Sequence, residues 1–157
     1  MTDQNDQTIR HWRELADQLT PDQIARLERA EECNPGSDED LLDDAREYAN
    51  INLGERIHFA HLDTPEGAVK VHSCHQDHNI DGAWIRPFTG ITYSVGGVNG
   101  TIEGIQCPDG TVFRDVVVSV DDFAQMPNGR LTADQTRELG ALLMVLGDEL
   151  DRLNGGH

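Results

Sequence analysis

The sequence predicts an α+β fold: N-terminal helices, an antiparallel β-meander of about five strands, and a long C-terminal helix packed on the sheet. Three observations carry this expectation. Apolar residues recur every three to four positions through residue 50, every second position from Glu55, and every three to four again after Thr132. Gly, Pro, Asn and Asp cluster between the period-two segments, where turns are needed. The longest uninterrupted apolar run, Ala141–Leu146, is far below the ~20 residues of a membrane span. Residues 1–50 are expected to form an acidic helical region and residues 51–157 the sheet with its helix, the two making one globular unit.

Ile9, Trp12, Leu15 and Leu19 recur at spacings of three and four and predict a first amphipathic helix. Thr20-Pro21-Asp22-Gln23 supplies a capping Thr, a Pro at the first helical position and a Gln three residues after the cap. Ile24 and Leu27 continue that helix, and Asn34-Pro35-Gly36 stops it. A third helix starts at Ser37-Asp38-Glu39-Asp40, with Leu41, Leu42, Ala45 and Tyr48 on one face. Acids in its first turn suit the positive end of the helix dipole.

From Glu55, Ile57, Phe59 and His61 alternate with Arg56, His58 and Ala60, and Val69, Val71 and Ser73 alternate with Lys70, His72 and Cys74. With Asp63–Gly67 as the turn, the two runs predict a hairpin. Further strands are predicted at 90–95, 101–107 and 111–120, separated by Gly96–Gly100 and Pro108-Asp109-Gly110. The run Val116-Val117-Val118 predicts a strand covered on both faces. Thr132-Ala133-Asp134-Gln135 is a second capping box, and Leu139, Leu142, Leu143, Leu146, Leu150 and Leu153 form the stripe of the closing helix.

The chain carries 29 acids against 12 bases, a formal charge of −17. Residues 1–50 hold −9 of it, 51–100 hold −2 and 101–157 hold −6. The densest stretch is Glu31, Glu32, Asp38, Glu39, Asp40, Asp43 and Asp44. Such a balance excludes simple binding to a nucleic-acid backbone, which needs basic patches to displace counterions. Three uses remain for it: solubility, a contact surface for a basic partner protein, and, as a minor alternative, imitation of a nucleic acid. No basic start followed by an apolar stretch marks export, so a cytoplasmic protein with reduced Cys33, Cys74 and Cys107 is expected, without membrane contact.

Five of the seven histidines fall within 21 positions: His58, His61, His72, His75 and His78. Reflection of the predicted hairpin about Pro65 sets His58 opposite His72, with Cβ atoms ~5 Å apart. Cys74 follows on the same face, and a turn at His75 folds His78 back. His58, His72, Cys74 and His78 are therefore the candidate metal ligands, zinc being the ion that imidazole and thiolate suit. Histidines on the solvent face of a hairpin need no ligand, however, and a one-residue register change separates His58 from His72.

Ser73-Cys74-His75-Gln76-Asp77-His78 resembles the His-x-His-x-Asp-His motif of metallo-β-lactamase-type hydrolases, with Ser73 in place of the first histidine. Only His75, Asp77 and His78 match it, and the later histidine ligands of that family have no counterpart. Nucleophile elbows, phosphate loops, dinucleotide fingerprints and His-Glu-x-x-His are absent from the sequence. The segment Leu131-Thr132-Ala133-Asp134-Gln135-Thr136-Arg137-Glu138-Leu139, continued by Leu142, Leu143 and Asp148–Leu153, is similar to the C-terminal helix of small uncharacterised proteins from actinobacteria and mycobacteriophages. Cys74–His78 resembles a Cys-x-x-Asp-His segment found upstream in some of them. The resemblance implies a bacterial or phage setting and no activity. The sequence thus points to an acidic, non-enzymatic protein that binds a basic partner as a regulator or modulator and requires no cofactor. Its alternative is a small zinc domain on the His58–His72 hairpin.

Overall fold

The computed structural model describes residues 9–34, 38–95, 97–120 and 131–155. It divides into two compact units, residues 1–60 and residues 61–157. The expected Pro35-Gly36 stop and the Ser37 cap lie outside the described residues.

In the helical unit, a 3-10 turn, Trp12–Gln18, precedes helices α1 (Pro21–Cys33) and α2 (Asp38–Gly54). Spacing by three suits the 3-10 geometry, and it buries Trp12 and Leu15 on one side. The capping box forms as read: Thr20 Oγ1 accepts from the Gln23 N–H at 3.3 Å, and Gln23 Oε1 accepts from the Thr20 N–H at 2.8 Å. Asn52 of α2 locks this corner by donating to Gln18 O and Gln23 Oε1, both at 2.8 Å. Trp12, Leu15, Leu27, Leu41, Leu42 and Ala45 form the core.

Residues 55–59 are not a strand. They continue α2 as a π-helical turn that buries Phe59 and leaves Ile57 58% exposed. The alternation there is six residues long, too short to separate the two periods, and extending an existing helix costs less than starting a new element. Helical structure therefore runs past residue 50, and the division between units falls after Ala60.

The second unit is a five-stranded antiparallel sheet under one helix. Strands β3 (Ala83–Val95), β4 (Val98–Gln106) and β5 (Val112–Val120) form a meander. Short β1 (Lys70–Val71) and β2 (His75–Asp77) both pair with β3, at Phe88–Thr89 and at Ala83–Ile85. Between these pairings Pro87 accepts from the His72 N–H at 2.9 Å but has no N–H to return, which breaks the ladder. Cys107 and Thr111 close the β4–β5 hairpin, with Gly110 at φ +87° and Asp109 Oδ1 accepting from the Thr111 N–H at 2.9 Å.

Helix α3 (Ala133–Asn154) opens on the second capping box and packs on β3, β4 and β5 through Leu146, Leu153, Leu142, Ile102 and Val116. On its inward side β4 alternates Val98, Gly100, Ile102, Gly104 and Gln106. A Cβ on Gly100 would meet Leu146 at 2.5 Å and Leu142 at 2.9 Å. A Cβ on Gly104 would strike the Phe88 ring and the Phe113 carbonyl oxygen. The Val116–Val118 run is not covered on both faces, because β5 is an edge strand with Val117 38% and Val118 50% exposed.

Gly104→Ala should destabilise the sheet unit by about 1–3 kcal/mol, as overpacking against backbone generally does. Gly140, where a Cβ meets nothing within 4 Å, is the control. Gly140→Ala should stabilise α3 by about 0.5–1 kcal/mol. Urea unfolding of both variants checks the pair; equal midpoints would contradict the packing described.

Candidate functional site

The acidic surface lies on the outward sides of α1 and α2. Asp38, Glu39, Asp40, Asp43 and Asp44 are exposed, as are Glu32 and Glu47, while Glu31 is half-buried. Leu41, Leu42, Ala45 and Ala49 turn the opposite side of α2 into the core, so helical geometry gathers Glu39, Asp40, Asp43, Asp44 and Glu47 into one stripe. Within it, Glu39/Asp43, Asp40/Asp44 and Asp43/Glu47 are like charges four residues apart, an arrangement that destabilises an isolated helix. The dipole compensates acids in the first turn only. Arg46 pairs with Asp43 at 3.1 Å, whereas Glu39, Asp40, Asp44 and Glu47 have no ion-pair partner among the described residues.

Glu31 belongs to a different arrangement. Arg13 holds it at 2.6 and 2.8 Å, and His11 Nε2 lies 3.7 Å from it. The Arg13 hydrogen bond holds the Glu31 carboxyl below the usual glutamate range and pushes the guanidinium up. The buried Trp12 indole N–H adds a smaller lowering. His11 Nδ1 accepts from the Arg13 N–H at 3.2 Å, so the ring is fixed by its own turn. His11, Glu31 and Asp38 are a group whose potential ligand atoms all lie within 4.8 Å of one another. A cation there would have to displace Arg13 from Glu31, so the group reads as an ion network tying the first turn to α1.

The four expected zinc ligands are not on a hairpin. His58 is on the π-helical turn after α2, and the strand expected to oppose it, β1, pairs with β3 instead. His72 Nε2 is 2.9 Å from Thr89 Oγ1. Cys74 is fully buried, and His78 opens the 3-10 turn His78–Ile80. Burial also pushes the Cys107 thiol up, away from the thiolate that binds metal or attacks a substrate.

The sheet unit contains a concavity of about 490 Å³ on the face opposite α3. His72, Thr89, Glu103 and Asp115 line it with Ile105 and Phe113. Glu103 and Asp115 sit directly opposite each other on β4 and β5, and neither has an ion-pair partner among the described residues. Two uncompensated carboxylates beside a half-exposed phenyl ring suit a cationic group more than an anion. The sequence held a signal for this pair, since reflection about Asp109 in the hairpin puts residues 103 and 115 in register. Glu47 was legible too, one turn beyond Asp43 and Asp44.

No protein-family profile, curated protein or solved structure matches the chain. Among the described residues, no helix is long and apolar enough to cross a membrane.

Arg13→Ala should return the Glu31 carboxyl toward the ordinary glutamate value, read by carboxyl-carbon NMR titration. Because the folded value is lowered, the pair's contribution to stability is present above the unfolded glutamate pKa and disappears as pH falls through the lowered one. A Glu31 titration that does not move in the variant would contradict the assignment.

Proposed function

We propose that this chain is a non-catalytic acidic binding protein whose α2 stripe receives a basic partner protein, acting as its regulator or modulator. The supporting observation is the line Glu39, Asp40, Asp43, Asp44 and Glu47, in which like charges stand four apart with Arg46 as the cation paired to it. A solubilising surface is served by mixed charges, which also support a helix through i,i+4 pairs. A single-sign stripe carries a folding penalty that a basic partner would relieve, and it accelerates and orients encounter. The Glu103–Asp115 concavity adds a second acidic surface of the same preference. A bacterial or phage setting, implied by the resemblance of the C-terminal helix, remains part of this reading.

The triple variant Asp40→Lys, Asp43→Lys, Asp44→Lys tests it. The wild-type chain should capture a basic protein from bacterial lysate at low salt and release it as ionic strength shortens the Debye length from about 10 Å toward about 3 Å. The variant should bind that protein at least about tenfold more weakly, with its helical circular dichroism retained. Cross-links should map to α2. Equal affinity of variant and wild type for the captured protein would sink the proposal.

A further inference from the structure

The two edges of the sheet are built differently. The β3 side is occupied by strands of two and three residues, one of them carrying Lys70, the sole lysine of the chain. Short strands and lysine are ordinary protections against edge-to-edge pairing. The β5 edge has neither. It runs nine residues, Val-Phe-Arg-Asp-Val-Val-Val-Ser-Val, paired to β4 in continuous register without bulge or proline. Among the described residues no backbone group pairs with its outer side. Phe113 (55%), Val117 (38%) and Val118 (50%) are exposed along it.

The apolar surface continues from that edge onto α3. Val145 shares a hollow with Ile91 and Tyr93 of β3, so it marks the β3 flank of the helix. Leu143 lies two residues earlier, about 160° around the helix from Val145, and therefore flanks β5. It is 37% exposed, on the side of the sheet where Val118 also stands. An occupant must then supply an extended backbone for the open ladder and apolar side chains on both faces of the sheet.

We propose that the occupant is a second copy of this chain, pairing β5 with β5 antiparallel about a two-fold axis at Val117. A two-fold axis between antiparallel strands is perpendicular to the sheet, so it keeps each residue on its own face and sets a residue opposite its own equivalent. Placed at Arg114 or Asp115, the axis would oppose like charges directly, which is destabilising. Placed at Val116, it sets Asp115 opposite the partner's Val117. Placed at Val117, it pairs Val116 with the partner's Val118, Val117 with the partner's Val117, and Asp115 with the partner's Ser119. The valine run then meets itself, and the carboxylate meets a hydroxyl donor. Both α3 helices lie on one side of the joined sheet, with the Leu143 flanks turned toward the shared edge.

Sedimentation equilibrium of the full chain should show a reversible monomer–dimer system. Val117→Lys, which opposes two ammonium groups on the axis, should weaken it about tenfold or more. In a Cys33→Ser background, Val117→Cys should form an intermolecular disulfide on mild oxidation more readily than Asp115→Cys. Amide exchange of the wild-type chain keeps the test decisive if a variant misfolds: protection of residues 112–120 should rise with concentration. A wild-type chain that stays monomeric at all concentrations, or a dimer indifferent to Val117→Lys, overturns the proposal. So does protection of β5 that follows added lysate but not the chain's own concentration, which would assign the edge to an extended segment of another protein.

Discussion

The spacing of small residues on the inward side of β4 governs the sheet unit. Large and absent side chains alternate there, and the two gaps are filled from different directions. Leu142 and Leu146 of α3 approach over Gly100, while the Phe88 ring lies over Gly104. Ile102 between them is 1% exposed and carries the contact with Leu146 and Leu153. Interiors tolerate little excess volume, so the missing Cβ at Gly100 seats α3 on β4 and the one at Gly104 seats the Phe88 ring. Arg152 then secures the far end of the helix by pairing with Glu149 and Glu66, both at 2.8 Å.

Within the sheet unit, α3 covers the middle of one face, and strand order places β5 at an edge. One helix spans only part of a sheet four strands wide, and it leaves Ile91, Tyr93, Val118 and Leu143 partly in water. The opposite face collects Glu103 and Asp115 beside Phe113 and His72. The helical unit is arranged on another principle, a small core around Trp12 that secures two helices whose outward sides are free to carry charge. Its acids fall into two groups that composition alone cannot separate. Glu31 is engaged by Arg13, whereas Glu39, Asp40, Asp44 and Glu47 remain available.

Residues with local signatures were legible. Thr20 with Gln23 and Thr132 with Gln135 form the capping boxes their spacing announces, because a cap is satisfied within one turn of chain. The Pro108-Asp109-Gly110 hairpin was equally plain, since its turn needs the left-handed conformation of Gly110. The expected hairpin of 56–61 with 69–74 does not form, for a physical reason. A short alternation specifies a strand only where no helix abuts it, and here α2 extends through those residues. Setting His58 opposite His72 depends on that register, which the π-helical turn at 55–59 does not supply. The valine run misled differently: a continuous apolar strand is expected in a sheet interior, and this one lies at an edge.

The sequence by itself determined the α+β class, the capped helices, the β4–β5 turn and the concentration of charge in the first third. Each depends on interactions between residues close along the chain, whose geometry is set by backbone periodicity and side-chain chemistry. Only the tertiary structure decided where Glu31 is paired and where the α2 acids are not, that Glu103 meets Asp115, and that β1 and β2 pair with β3. It also decided that the most apolar strand ends the sheet. The Glu31 pairing depends on how the first turn packs on α1, and the sheet outcomes depend on register and on which surfaces α3 covers; all follow from packing between segments distant along the chain.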